Sequence, residues 1–500
     1  MQVKKIVGWA MVFMMFCMRT PNILADTMFT SYTYSFWGEV KEAPEAYVVS
    51  EIIQGDEIGC GDFKEPRGLF VKENLVYIAD TGNNRVVICD ANWHLKEVIE
   101  SVEIDGLESP LNGPQDVFVS EENDIYIADT GNNRIIRLNN EKEVVSVVGK
   151  PESELISSNL KFEPLKIVVD RANRIYVIAR NINQGIMEID SSGAFNGYVG
   201  ANKVTPKLSD LIWKQFSTKE QRARMELFVP TEFNNIFMDH KGFLYVTTDV
   251  IDALELTNVI KTRDDSDKCT PIKKLNSMGT DILKRNGHFA PVGDILLDDR
   301  GSIDGPSQII DVVVDENDIY SILDRKRGRI FTYDFEGNLL YTFGEIGNKV
   351  GAFKTPIAIE KVGERILILD FGTNQITEFK PTEYGLMIND ALMDYRKGYY
   401  DQSADRWEQV LVMNANYELA YVGMGRAAYR NGNFKEALED FKLGNNHKGY
   451  SKTLKLYRKE IIEENFAFIM IGLIGASIGI GALLHYKKKR RRVDGDTKSA

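Results

Sequence analysis

Residues 75–88 read LVYIADTGNNRVVI and residues 124–136 read DIYIADTGNNRII. Seven of these residues, ADTGNNR, recur unchanged after 49 positions. Weaker copies follow in RIYVIAR ending at Arg180, FLYVTTD ending at Asp249, DIYSILD ending at Asp324 and RILILD ending at Asp370. From Asp80 onward the spacings are 49, 51, 69, 75 and 46 residues. A proline precedes each copy (Pro66, Pro114, Pro164, Pro230, Pro306 and Pro356) and opens a short apolar strand such as GLFV, DVFV or KIVV. Each unit continues through a polar turn, a β-branched strand, a Gly/Asn turn and a third strand. A fourth strand ends in glycine, as in VVSVVG or LLYTFG. Four short strands at a period of about 40–50 residues make the blade of a β-propeller. Six copies therefore predict an all-β, six-bladed propeller.

The copies also predict how the ring closes. The sixth unit stops after ITEFK without a fourth strand, while YVVSEIIQGDEIGCGDFKEP from Tyr47 to Pro66 resembles YTFGEIGNKVGAFKTP from Tyr341 to Pro356. The N-terminal segment thus carries the missing strand, and its pairing with blade six would remove an exposed sheet edge. With their D-x-G-N-x-R turns, residues 45–380 resemble the NHL repeat family. Blades three and four depart from the pattern, with Gly185 and Leu254 where arginine stands as Arg85, Arg134 and Arg329. Asp80, Asn83, Asn84 and Arg85, and their equivalents Asp129, Asn132, Asn133 and Arg134, are expected to lock the turns. Gly82 would permit a positive φ, and the asparagines would cap backbone groups. Repetition from unit to unit argues for this structural role, because one active site needs no copies.

The propeller is expected over residues 26–380, with two insertions. Residues 205–227 have the helical spacing of Leu208, Leu211, Ile212 and Phe216, with Trp213 on the same helix as core or contact residue. Residues 252–287 are charged, patternless and hold Cys269. Insertions on a rigid scaffold commonly carry function.

The ends of the chain read differently. Lys4 and Lys5 precede an apolar run from Ile6 to Met18, then Pro21 and Ala25, the order of a secretory signal over residues 1–25; an uncleaved anchor is the alternative. Phe466 to Leu484 holds no charge, and Lys487, Lys488, Lys489, Arg490, Arg491 and Arg492 follow at once. That is enough length to cross a bilayer over residues 466–486, with a basic cytoplasmic tail at 487–500. Gly475 and Gly479 form a GxxxG, a weak helix-pairing signal in a stretch with four glycines. The chain's −12 formal charge hides this layout. The two ends carry +3 and +5, leaving 51 basic and 71 acidic residues between them. A body at −20 gains nothing from counterion release on a phosphate backbone, which argues against a nucleic-acid partner. The exterior part has no N-glycosylation sequon and an odd set of cysteines (Cys60, Cys89, Cys269), a composition that fits a bacterial surface.

From Tyr384 the period becomes helical. Gly398, Tyr400 and Trp407 are answered 34 positions later by Gly432, Phe434 and Phe441. A 34-residue helix–turn–helix period resembles the tetratricopeptide repeat, predicted over 384–464 with residues 449–464 as a cap. Such pairs form peptide-holding grooves; a packed stalk is the equal alternative.

Chemistry is harder to find. No catalytic residue, metal ligand set or cofactor is indicated. Some propellers of the resembled kind are lyases with zinc on inner-strand histidines, but His94, His240 and His288 fall in turns or loops, His447 in the helices and His485 at the membrane edge. A lactonase-like propeller would hold calcium on inner carboxylates and asparagines. The residues after each opening proline, Arg67, Gln115, Asp116, Lys166, Glu232, Asn234 and Gln308, should face the channel or its mouth. They are a mixed polar set with two acids, equally suited to calcium, to a neutral ligand or to solvent. Arg325, Lys326, Arg327 and Arg329 form one basic spot on the acidic body, either a solvated face or a grip for a carboxylate. The expectation is a membrane-anchored extracellular binding or scaffold protein. Its partner would be a membrane complex, such as a transporter, or a cell-surface ligand. The competing expectation is a membrane-tethered lactonase or hydrolase.

Overall fold

In the computed structural model, the structure describes residues 31–156, 159–200, 202–203, 228–229, 233–248, 251–264, 269–296 and 305–496. The expected signal segment, Trp213 and Glu232 lie outside them. The chain divides into two compact units, Met1–Leu386 and Met387–Ala500.

The first unit is a six-bladed β-propeller. Blade one is built from Gly68–Lys72, Leu75–Asp80, Arg85–Asp90 and Leu95–Ile99, and blade two from Asp116–Val119, Ile125–Asp129, Arg134–Leu138 and Val144–Val148. Blades three and five repeat this order from Pro164–Val169 and Ile309–Val314. Blade six takes three strands from Pro356–Val362, Arg365–Asp370 and Gln375–Pro381, and its fourth is Tyr47–Ile53. That closing pair runs antiparallel from Ile376 opposite Ile53 to Pro381 opposite Tyr47. Between blades the core is aliphatic and aromatic, as where Val76, Ile78 and Val87 of blade one meet Ala358, Leu367 and Ile376 of blade six.

The repeated turn stitches each blade to the next. Asp80 is fully buried and accepts from the Lys64 N–H, Asn83 Nδ2 and Arg85 Nε, each at 2.8 Å. Arg85 then reaches back to the carbonyls of Cys60, Gly61 and Asp62. Asp129 does the same with the Asn112 N–H, Asn132 and Arg134. The hydroxyl of Thr81 donates to the Pro114 carbonyl at 2.6 Å, and that of Thr130 to Pro164. The proline landmarks and the turns therefore occur together because one binds the other. Asn84, in the left-handed region at φ 56°, accepts the Gly113 N–H across the blade boundary. Asn374 accepts the Glu65 N–H at 2.9 Å and carries this link across the closure. Gly82 is required for a different reason from the expected one. Its φ is not positive, but a Cβ there would lie 2.6 Å from the Lys64 carbonyl oxygen.

Blades three and four keep the repeat's spacing within the blade but lack its turn aspartate. Strand register sets Ile178 and Thr247 opposite Lys166 and Asn235, as Ala128 stands opposite Asp116. Ala179 and Thr248 thus occupy the aspartate position, one residue before the expected Arg180 and Asp249. Blade four has three strands among the described residues, Asn235–Met238, Leu244–Thr247 and Ile272–Leu275. Residues 252–287, read above as a charged insertion, contain that third strand and a helix, Ala253–Thr262. Where a fourth strand would pair, the Asp281 carboxylate instead accepts the Lys274 N–H and holds Arg285 at 2.6 Å. The helix packs through Leu256 and Val259 onto Val292, Ile295 and Tyr34 of the N-terminal hairpin.

In the second unit, helices Tyr400–Met413, Glu418–Arg430, Phe434–Leu443 and His447–Glu464 pack in sequence after Glu383–Lys397. The 34-residue offset is physical, since Gly398 and Gly432 both take left-handed conformations at helix ends. Trp407 and Phe441 both bury against glycines of Glu418–Arg430, respectively Gly423 and Gly425. The final helix runs Phe466–Asp496, and its Phe466–Lys488 stretch has a mean hydropathy of 2.3 with its apolar side chains uncovered. By length and composition this helix can cross a membrane.

Two substitutions test these contacts. Asp80→Ala leaves Arg85 facing only carbonyls in a buried turn, and should cost about 3 kcal/mol in chemical denaturation. Gly423→Ala puts a methyl 2.2 Å from Trp407 Nε1, so loss of about 1–3 kcal/mol should appear in the melting of the helical unit.

Candidate functional site

The inner strands of the six blades run side by side around a central channel, and their alternate residues define rings. The first ring is Gly68, Asp116, Lys166, Asn235, Asp311 and Ala358, set by equivalent pairings to Ala79, Ala128, Ile178, Thr247, Leu323 and Leu369. The second ring, two residues on, is Phe70, Phe118, Val168, Phe237, Val313 and Glu360. A cavity of about 1010 Å³ opens along these rings toward the first hairpin tips, lined among others by Phe70, Asp116, Lys166, Phe237, Asp311 and Glu360.

Most first-ring groups are committed to joining neighbouring blades. Asp116 accepts the Ile167 N–H at 2.9 Å and Lys166 Nζ at 3.2 Å. Asp311 accepts the N–H groups of Val312 and Ile359 at 2.7 and 2.8 Å, and Asn235 Nδ2 as well. Gly68 lets the strands of blades one and two meet directly, since a Cβ would lie 2.8 Å from the Gln115 carbonyl. Burial pushes the Asp311 carboxyl up to about 7, against the opposing pull of Lys166 and the two N–H groups. Burial also works against the Lys166 ammonium, but Asp116 and then Asp311 hold it protonated.

Glu360 is the exception. It is 8% exposed and lines the cavity, and among the described residues no side chain hydrogen-bonds to it. The Lys361 backbone N–H is its polar neighbour. Burial first, then the nearby Asp311, raises its pKa well above the ordinary 4.5.

Cation–anion contacts tie the hairpin tips around the mouth. Arg171 bonds Glu121 at 2.8 Å and the His240 carbonyl at 3.2 Å, Lys241 pairs with Asp318 at 2.6 Å, and Lys361 with Asp315 at 3.1 Å. These contacts link blades two through six.

Of the seven channel candidates, Asp116 and Lys166 line the cavity. Arg67 is exposed and stacks on Phe371 at 4.7 Å. Gln115 is half-buried, with its N–H on the Ala128 carbonyl. Asn234 bridges Thr247 and the Ile309 carbonyl. Gln308 donates its N–H to Asp324. Asn235, Asp311 and Glu360 were missed. In blades four and five the first-ring residue falls five positions after the proline (Pro230 to Asn235, Pro306 to Asp311) rather than two, as in Pro114 to Asp116. Counting back from the turn aspartate as from Asp129 to Asp116 reaches Asp311 from Asp324, and counting as from Asp80 to Phe70 reaches Glu360 from Asp370.

The expected basic spot is divided by burial. Arg327, read as a surface cation, is 9% exposed, pairs with Asp294 at 3.1 Å and donates to the Gly305 carbonyl at 2.6 Å. Arg329 is buried beside the Tyr32 ring. Arg325 and Lys326 are half-buried at the blade-five turn. Among the described residues no three His, Cys, Asp or Glu side chains converge as a metal site.

Comparison with known proteins bears on the fold. The NHL repeat family model matches residues 111–138, which span the first three strands of blade two. No significant match was found among curated protein sequences. Virginiamycin B lyase from Staphylococcus aureus aligns at 11% identity and a TM-score of 0.38, over 67% of this chain and all (100%) of that one. A streptogramin B lyase aligns at 12% and 0.40, covering 68% of this chain and 100% of its own. A putative gluconolactonase aligns at 10% and 0.37, covering 68% and 94%. Likeness at this level carries no assignment of chemistry.

A raised carboxyl favours the folded state in acid and penalises it as pH rises from its unfolded toward its folded pKa. Glu360→Gln mimics the protonated acid. It should melt with wild type near pH 4.5 and increasingly above it as pH rises, in thermal denaturation across that range.

Proposed function

We propose that this chain, an NHL-repeat propeller followed by helices and an apolar terminal helix, is a membrane-anchored binding protein. Its propeller would receive a ligand in the channel outside the cell. The observation that carries this reading is an open channel of about 1010 Å³ whose lining charges are mostly paired or hydrogen-bonded. Such a lining orients a ligand through a few convergent polar groups. Among the described residues no three His, Cys, Asp or Glu side chains converge there as metal ligands.

The terminal helix supports the anchor. Its six cations from Lys487 to Arg492 directly follow the apolar stretch and would stay cytoplasmic. The acidic body would then lie outside, consistent with the leader-like first 25 residues. The helical unit would supply a second recognition surface, for a neighbouring membrane protein such as a transporter subunit.

Protease treatment of intact cells tests the topology. The body should be digested while a tag placed after Ala500 stays protected; digestion of the tag would reverse the reading. Crosslinking on the same cells tests the partner. A specific membrane protein should be recovered, and recovery of this chain alone would remove the accessory role.

A further inference from the structure

Deepening that binding reading, on which it rests, we propose that the second ring of the propeller channel is a site for a small alkylated ammonium ion, with Glu360 as its counter-ion. Five positions of this ring are apolar, and the sixth is Glu360. Phe70, Phe118 and Phe237 are half-buried and line the cavity, with the rings of Phe70 and Phe118 centred 4.8 Å apart. A carboxyl 8% exposed and without a side-chain partner is costly in such a ring. It is out of place unless something else in the channel completes it.

The neighbouring charges define what that something is. Asp116 is occupied by Lys166 and the Ile167 N–H, and Asp311 by two N–H groups and Asn235. Of the carboxyls in the two rings, Glu360 is therefore the one without a side-chain donor. A resident metal ion is normally held by several protein ligands, and among the described residues no three His, Cys, Asp or Glu side chains converge. A primary ammonium presents three N–H donors, whereas the second ring offers one carboxyl among apolar side chains. An alkylated ammonium needs no hydrogen bonds, only a negative charge and aromatic faces, and the second ring supplies both. Lys166 does not oppose it strongly, since Asp116 neutralises it.

Binding would be coupled to protonation. The ligand's charge favours ionised Glu360, so the cation displaces a proton and affinity should rise with pH.

The test is isothermal titration of the full-length protein in detergent micelles with choline chloride, against salt-matched buffer. The paired control is the uncharged analogue in which carbon replaces the choline nitrogen. Choline should bind saturably and more tightly as pH rises, while the neutral analogue should not bind. Glu360→Gln should weaken choline by about tenfold or more. Phe70→Leu, which keeps apolar bulk but removes a π face, should weaken it too. Absence of saturable choline binding, equal binding of the neutral analogue, or unchanged affinity in Glu360→Gln overturns the proposal. A specific partner recovered by crosslinking alongside such a result leaves the broader binding reading standing.

Discussion

Closure of the ring is the constraint on which the propeller depends. Tyr47–Ile53 pairs with Gln375–Pro381, joining segments more than three hundred residues apart and leaving blade six without a free inner-to-outer break. Asn374 on Glu65 adds a side-chain link across the same junction. Once the ring is closed, each inner strand has a neighbour on both sides. Within the ring, Asp116 and Asp311 accept the N–H groups of Ile167 and Ile359 on the following blade. The channel and its charges are consequences of that closure.

Two kinds of buried carboxylate follow. Those of the turns, Asp80 and Asp129, sit among donors from their own blade and tie it together. Those of the channel sit where six strands converge, and their partners come from neighbouring blades. Glu360 belongs to the second kind but is left without a side-chain partner. Beyond the adjacent Lys361 N–H, the charges that act on it, Asp311, Lys166 and Asp116, come from inner strands of three other blades.

Much of the architecture was legible because it repeats. The ADTGNNR turns, the prolines and the missing fourth strand of blade six were each visible in one dimension, and Tyr47–Ile53 supplies that strand, with register setting Glu51 rather than Tyr47 in the place of Tyr341. Legibility failed where spacing slipped. The proline-to-ring distance lengthens in blades four and five, which hid Asn235 and Asp311, and blades three and four carry Ala179 and Thr248 where the turn aspartate stands, which displaced the reading to the next residue. The basic run at Arg325–Arg329 misled for another reason. Charge in sequence does not report depth, and Arg327 is drawn inward by Asp294, a residue of a loop with no repeat to place it.

The sequence by itself determined the number of blades, the closing strand, the helical period and the apolar terminal helix, because each is a local pattern of hydrophobicity and turn residues repeated or set apart by charge. The tertiary structure decided which polar residues meet in the channel. That meeting depends on strand register and on blades brought together around an axis. A shift of one residue exchanges a channel-facing side chain for one in the blade interface.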